Sequence, residues 1–338
     1  MRRFLKSGQA IIVCIIFSTS TDVFAQLKEE VEEGKIKALA QEVIKQKTAK
    51  KNISSSVQLT TGFDTNPRLA IIRKPDIYEE LLYSCSYSQP FWSGFRFGFN
   101  YDLVGTEYNE LTDLSNILNH VKFALTKAFN KRLYFGGGYD GTLLYYRNND
   151  PGDFVFHKNF IYLRQRLTKR LYHQIKLENG YKDYTNQEAL GETSDTFLTS
   201  KREDQRQAVE YSIGTLLTPK LFLKLRTNYS TNDSNAQFMD FYDYNSVDVI
   251  SNMYYKLSRK ILLSWNFSYT EKDYKSRLVF SRSYEQQDHI YSTGVGLNLK
   301  INKDNNLSVN YTYHQGTSND PLSEYTGNAV NCGWRYNF

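Results

Sequence analysis

From Ile53 to the C-terminus, apolar and polar residues alternate with a period of two, and this pattern leaves few folds open. A period of two sends successive side chains to opposite faces of a strand. In residues 221–229, Leu221, Leu223, Leu225 and Tyr229 point one way while Lys224, Arg226 and Asn228 point the other. Residues 291–301 set Val295, Leu297, Leu299 and Ile301 against Ser292, Gly294, Gly296, Asn298 and Lys300. Residues 261–269 set Leu263, Trp265, Phe267 and Tyr269 against Ser264, Asn266 and Ser268. Soluble sandwiches alternate as well, so the turns must decide.

Two kinds of turn take turns along the chain. One is tight and basic: Asn130-Lys131-Arg132, Thr168-Lys169-Arg170, Thr218-Pro219-Lys220, Ser258-Arg259-Lys260 and Asn302-Lys303-Asp304. The other is long and polar, at residues 109–116, 148–153, 185–204, 232–245 and 316–327. Short turns at one end and long loops at the other are the asymmetry of a transmembrane β-barrel. The spacing predicts an all-β, antiparallel up-and-down barrel of about fourteen strands, within a range of twelve to sixteen. Residues 272–287 set that range: Arg277 to Phe280 extend the neighbouring strands or form a hairpin of their own.

A mean hydropathy of −0.56 is compatible with this fold, because in a barrel the lipid face alternates with a polar interior. The 27 Tyr and 21 Phe against 6 Pro and 3 Met favour strands and interfacial girdles over helical packing. Ahead of the barrel, Arg2, Arg3 and Lys6 precede an apolar core at residues 10–17 and the small-residue site Val23-Phe24-Ala25. Residues 1–25 are therefore expected to be a signal peptide cleaved near Ala25, with residues 26–52 a short periplasmic helix or linker and residues 53–338 the barrel. Outside the leader the cysteines are Cys85 and Cys332. Both are expected to face lipid with the first strand between them, too far apart to bond.

The last strand alternates Val330, Cys332, Trp334, Tyr336 and Phe338 on one face and ends on an aromatic. It resembles the terminal strand by which the outer-membrane barrel-assembly machinery recognises its substrates, with Trp334, Tyr336 and Phe338 as the signal. Everything after about residue 52 resembles outer-membrane porin-like barrels. The opening segment Thr61-Gly62-Phe63-Asp64-Thr65-Asn66-Pro67 resembles the G-[YF]-D-[ST]-N-P start of β-barrel porins of the type often encoded with exopolysaccharide systems. That resemblance implies a Gram-negative outer membrane and carries no catalytic residues.

Gly136 to Gly141 fits G-x-G-x-x-G, but Thr142-Leu-Leu-Tyr-Tyr146 continues a strand where a nucleotide site needs a helix. His120, His157, His173, His289 and His314 show no metal-ligand spacing and read as strand-borne interface residues. A barrel lipase needs a serine beside a lipid-facing histidine; His173 has that parity, but no serine can be assigned to it. No enzyme activity, cofactor, metal or nucleic-acid partner is expected.

The parity opposite the apolar one places Arg96, Lys122, Arg164, Arg166, Lys176, Lys182, Lys224, Arg226, Lys256, Lys300 and Arg335 inside. Asp102, Asp140, Glu178, Glu210 and Asp248 oppose them, and Tyr134, Tyr146, Tyr172 and Tyr254 share the parity. Either these charges fill a closed interior as an ion-pair network, or they line a pore that prefers anions. The expectation is an outer-membrane channel for small anionic or saccharide solutes. Its rivals are an outlet for an exported polysaccharide, in which residues 27–51 dock a periplasmic export component, and a closed barrel acting as an adhesive or structural anchor.

Overall fold

A computed structural model of the chain describes residues 53–338 apart from Ser194, Phe280 and Ser281. The expected signal peptide and the expected helix or linker at 26–52 lie outside the described residues.

Fourteen strands run through the described residues. They are β1 (Ile53–Asp64), β2 (Asp76–Phe91), β3 (Phe95–Tyr108), β4 (Asn116–Ala128), β5 (Leu133–Tyr146), β6 (Phe154–Arg166) and β7 (Leu171–Leu190). Then follow β8 (Phe197–Thr218), β9 (Leu221–Ser234), β10 (Tyr244–Lys256), β11 (Ile261–Leu278), β12 (Glu285–Lys300), β13 (Asn305–Ser318) and β14 (Tyr325–Asn337). Each strand pairs antiparallel with its neighbours in sequence, and β1 pairs with β14 to close the barrel. Closure removes every sheet edge, the condition for a sheet in lipid. The shortest strand shown, β1, has 12 residues, enough to cross a bilayer when tilted, which takes about 9 to 11.

The tight turns are held by their first residue. Asn130 Oδ1 accepts from the backbone N–H of Arg132 at 2.7 Å and of Leu133 at 2.9 Å. Asn302 Oδ1 does the same for Asp304 and Asn305, both at 2.9 Å. The hydroxyls of Thr168, Thr218 and Ser258 accept from Arg170, Lys220 and Lys260. The side-chain oxygen reaches the amide two residues on and adds to the backbone bonds that close the turn, such as Thr168 N to Leu171 O at 3.1 Å, which is why Asn, Thr or Ser opens each. The β2–β3 turn (Trp92–Gly94) works differently, with Gly94 at φ 82°.

The Gly62-to-Pro67 motif forms the seam between first and last strands. A Cβ on Gly62 would stand 2.4 Å from the Tyr78 ring, so only glycine lets that ring lie against the wall. Tyr78 Oη in turn accepts from Asn331 Nδ2 of β14 at 3.1 Å. Beyond β1, Thr65 N donates to Asn328 O at 2.9 Å and Thr65 Oγ1 accepts from Asn328 N at 2.8 Å. Buried Asn66 donates to Ala70 O at 2.8 Å and to Thr326 O at 2.9 Å, and Asp64 Oδ1 accepts from Asn66 N at 2.8 Å.

Two expectations change. Residues 185–204 are mostly strand: β7 and β8 run on to Leu190 and from Phe197 past two register shifts, leaving a short tip at 191–196. That extension rests on the β9–β10 loop, where Gln237 N donates to Leu190 O at 2.8 Å and Gln187 Nε2 to Tyr242 Oη at 3.1 Å. The second concerns histidine, since His120 and His314 turn inward. Of residues 272–287, 272–278 extend β11 and 285–287 begin β12, with no separate hairpin among the described residues. Cys85 and Cys332 are free, with β1 between them: Ser55 faces Cys85 and Thr61 faces Cys332.

Candidate functional site

The outer parity carries an apolar belt. Leu177, Val209, Leu225, Val249, Val295 and Leu297 are 36% to 52% exposed, which for aliphatic side chains in a continuous ring calls for lipid rather than water. Tyrosines with polar partners sit within the belt: Tyr139 Oη lies 2.6 Å from His157 Nδ1, and Tyr311, level with Val295, donates its Oη–H to Asn328 Oδ1 at 2.7 Å. At the short-turn end, Trp334 Nε1 donates to Asn305 Oδ1 at 3.0 Å, and the Tyr336 and Phe338 rings meet edge-on at 5.0 Å. A ring with an apolar body and a polar tip, as Trp334 has, suits a membrane border.

All the basic residues named from the sequence stand on the inner parity. The register sets Lys122 beside Asp140, Arg166 beside Tyr172, Lys176 beside Glu210, Lys182 beside Asp204 and Arg335 beside Gln58. Arg96, Lys256 and Lys300 are exposed near the short-turn end, whereas Lys122, Arg164, Lys176, Lys224 and Arg226 are half-buried along the wall. Carboxylates pair with several of them: Lys176 with Glu178 at 2.5 Å and Arg226 with Glu210 at 3.7 Å. His120 bridges Asp102 at 3.4 Å and Asp140 at 3.2 Å, and Lys158 reaches Asp140 at 3.1 Å. Arg164 Nε donates to Gln174 Oε1 at 3.0 Å, and Arg335 Nε to Gln58 Oε1 at 2.9 Å.

Aromatic rings carry the same cations on one side of the barrel. Lys176 and Lys122 lie 4.8 Å and 5.6 Å from the Phe160 centroid, and Arg164 lies 5.2 Å from that of Tyr172. Several of these rings lie flat over glycine. A Cβ on Gly136 would meet Tyr162 at 2.5 Å, one on Gly214 Tyr172 at 2.3 Å, and one on Gly180 Phe156 at 2.7 Å. A cation over a ring face gains about 0.5 to 2 kcal/mol and keeps its outward side available. The facing strands are lined instead by Ser264, Asn266, Ser292, Gly294, Ser308 and Asn310.

Sequence parity missed Lys158, Arg202, Arg206 and Lys272. Arg202 sat in a stretch read as loop and Lys272 at the start of the ambiguous 272–287 segment. Lys158 follows Phe154-Val-Phe-His, where both faces carry apolar or aromatic residues and alternation gives no direction. Among the described residues, no group of three or more His, Cys, Asp or Glu is arranged to hold a metal ion.

Residues 244–338 match the family model described as "Putative beta-barrel porin 2". The match to this porin family spans β10 to β14, including the terminal strand. Among solved structures, the chain is similar to the Pseudomonas putida toluene transporter TodX at 10% identity and a TM-score of 0.47, covering 86% of this chain and 90% of that one. It is similar to the outer-membrane expressed OmpT of Vibrio cholerae at 10% identity and 0.47, covering 85% and 97%. A bacterial polysaccharide outer membrane secretin aligns at 11% identity and 0.45, covering 84% and 98%. No curated protein matches the sequence.

Proposed function

We propose that this chain is an outer-membrane channel that passes small anionic or saccharide solutes and carries out no catalysis. The supporting observation is the line of Lys122, Lys176 and Arg164 held over Phe160, Tyr162 and Tyr172 on the inner wall. Cations favour a negative solute, and ring faces suit the apolar face of a sugar. The long-loop end faces outside and the short-turn end faces the periplasm. Lipid of the outer membrane covers the belt, and the barrel-assembly machinery reads Trp334, Tyr336 and Phe338.

Planar-bilayer conductance under a potassium chloride gradient tests this reading. The wild-type protein should give a steady current whose reversal potential reports anion preference. Lys224→Glu combined with Arg226→Glu should leave a folded barrel and move that potential toward cations. A folded wild-type protein that passes no current would instead support the closed anchor. Current that appears only with a periplasmic partner would support the polysaccharide outlet.

A further inference from the structure

Toward the long-loop end, the inner wall gathers four cations from three strands. Lys182 of β7 sits 3.7 Å from the Phe154 ring centroid, and its ammonium donates to Tyr184 Oη at 2.8 Å. Arg202 of β8 stacks 3.4 Å from the Tyr242 centroid and grips Asp204 through two bonds of 2.9 Å and 2.6 Å. Lys272 of β11 lies 5.0 Å from the Tyr244 ring and faces Asp288 in register. Arg206 of β8 donates to Ser230 Oγ at 3.0 Å and reaches Asp248 of β10 at 3.9 Å, and Asp248 accepts from Thr270 of β11 at 2.6 Å, so the polar network runs from β8 to β11. Lys182 and Arg202 are 8% and 6% exposed, so this is built structure rather than a chance meeting of surface lysines.

The nearby carboxylates are already engaged. Asp204 is held by Arg202, Asp248 accepts from Asn228 at 2.9 Å and Thr270 at 2.6 Å, and Asp288 accepts from Gln286 at 2.8 Å and Ser318 at 2.6 Å. Yet polar atoms around the same cluster have no partner: Arg206 Nε, and the acceptors Gln187 Oε1, Gln286 Oε1 and Asn228 Oδ1. Gln187 and Gln286 are only 4% and 2% exposed. A buried unpaired polar atom costs about 1 to 3 kcal/mol and so calls for a partner.

We propose that this cluster, Lys182, Arg202, Arg206 and Lys272 with the rings of Tyr184 and Tyr244, is a binding subsite for a sugar acid. The ligand class is a pyranose ring that bears a carboxylate. Its negative charge answers the positive charge in excess over Asp204, Asp248 and Asp288, and it accepts from Arg206 Nε. Its hydroxyls supply donors to the orphaned amide oxygens, which a small inorganic anion lacks in that number. The ring face packs on tyrosine, as bulky apolar-faced ligands do on aromatic walls. A neutral sugar satisfies the acceptors and rings but leaves unanswered the one positive charge by which the four cations exceed Asp204, Asp248 and Asp288. This rests on the channel reading and narrows its solute.

Calorimetric titration of the full chain in detergent micelles tests the subsite without requiring conduction. Trigalacturonate should bind saturably, at least tenfold more tightly than maltotriose or potassium phosphate. Lys272→Gln and Arg206→Gln should each weaken trigalacturonate at least tenfold, while Lys169→Gln in a short turn should leave it unchanged. If either variant fails to form a heat-modifiable barrel, Tyr244→Leu carries the same expected loss. Galacturonate monomer that binds as well as the trimer identifies a free sugar acid as the source, and trimer preference identifies a polymer; both support the subsite. It is overturned if trigalacturonate does not bind, if maltotriose or phosphate binds equally well, or if the folded variants bind like wild type. Binding without bilayer current removes the channel and keeps the subsite, and current without binding does the reverse.

Discussion

The inner faces of β6 and β7 and the inner faces of β12 and β13 belong to one closed sheet, yet they are built on opposite plans. The first pair presents Phe156, Phe160, Tyr162 and Tyr172 with Lys158, Arg164 and Lys176 laid across the rings. The second presents Ser292, Gly294, Gly296, Ser308 and Asn310, small groups that bond along the wall, as Asn310 Nδ2 does to Asn331 Oδ1 at 2.9 Å. Charge and ring are therefore placed off-centre. At the level of Phe160 and Ser292, a solute with both an anionic group and an apolar face would meet cations and rings on one side and a smooth polar surface on the other. A symmetrical anion filter has no need of such a division, and neither does a plug.

The division has meaning only if this parity faces inward, and breaking that premise has the largest expected effect. Leu223→Arg with Leu225→Arg turns two charges toward lipid at about 2 to 4 kcal/mol each near the midplane. The heat-modifiable form in outer-membrane fractions should disappear. Retention of that form would mean that the ring-lined and the smooth side are both outer surfaces.

A smaller effect separates the two sides. Arg164→Gln with Lys176→Gln should lower the anion preference measured by reversal potential, whereas Ser268→Ala with Thr312→Val on the smooth side should leave it in place. Equal shifts from both pairs would mean that net charge, not its location, sets selectivity.

The smallest effect concerns shape. Gly136→Val drives a Cβ into the Tyr162 ring, an overpacking worth about 1 to 3 kcal/mol, and should push the ring off the wall and reduce single-channel conductance. At Gly98 the nearest atom to an added Cβ is 3.9 Å away, ordinary van der Waals contact, so Gly98→Ala should leave both thermal stability and conductance close to wild type.

Much of this architecture was legible in the sequence because lipid imposes it. Where one face of a strand must be apolar, Leu223, Leu225 and Lys224 announce their directions, and the Asn, Thr and Ser that open the tight turns announce where strands reverse. Beyond the membrane that constraint ends. The outer parts of β7 and β8 have water or loop on both faces, so Thr185-Asn-Gln-Glu188 and Thr199-Ser-Lys-Arg202 show no alternation and read as loop. Arg202 was lost with that segment. The pairing of rings with glycines was illegible for another reason: Gly136 and Tyr162, or Gly214 and Tyr172, are brought together by register, which a single strand does not encode.

The seam at Thr65 and Asn66 carries a consequence for biogenesis. Asn66 reaches Thr326 across 260 positions of chain, and Thr65 exchanges two bonds with Asn328. None of these contacts can form until the final strand has been delivered, so the opening motif is answered only by a finished polypeptide. A chain truncated before β14 would leave β1 with a bare row of amides and carbonyls in a medium that offers them nothing, an edge that invites a foreign strand. The seam therefore closes only once β1 and β14 are both in place.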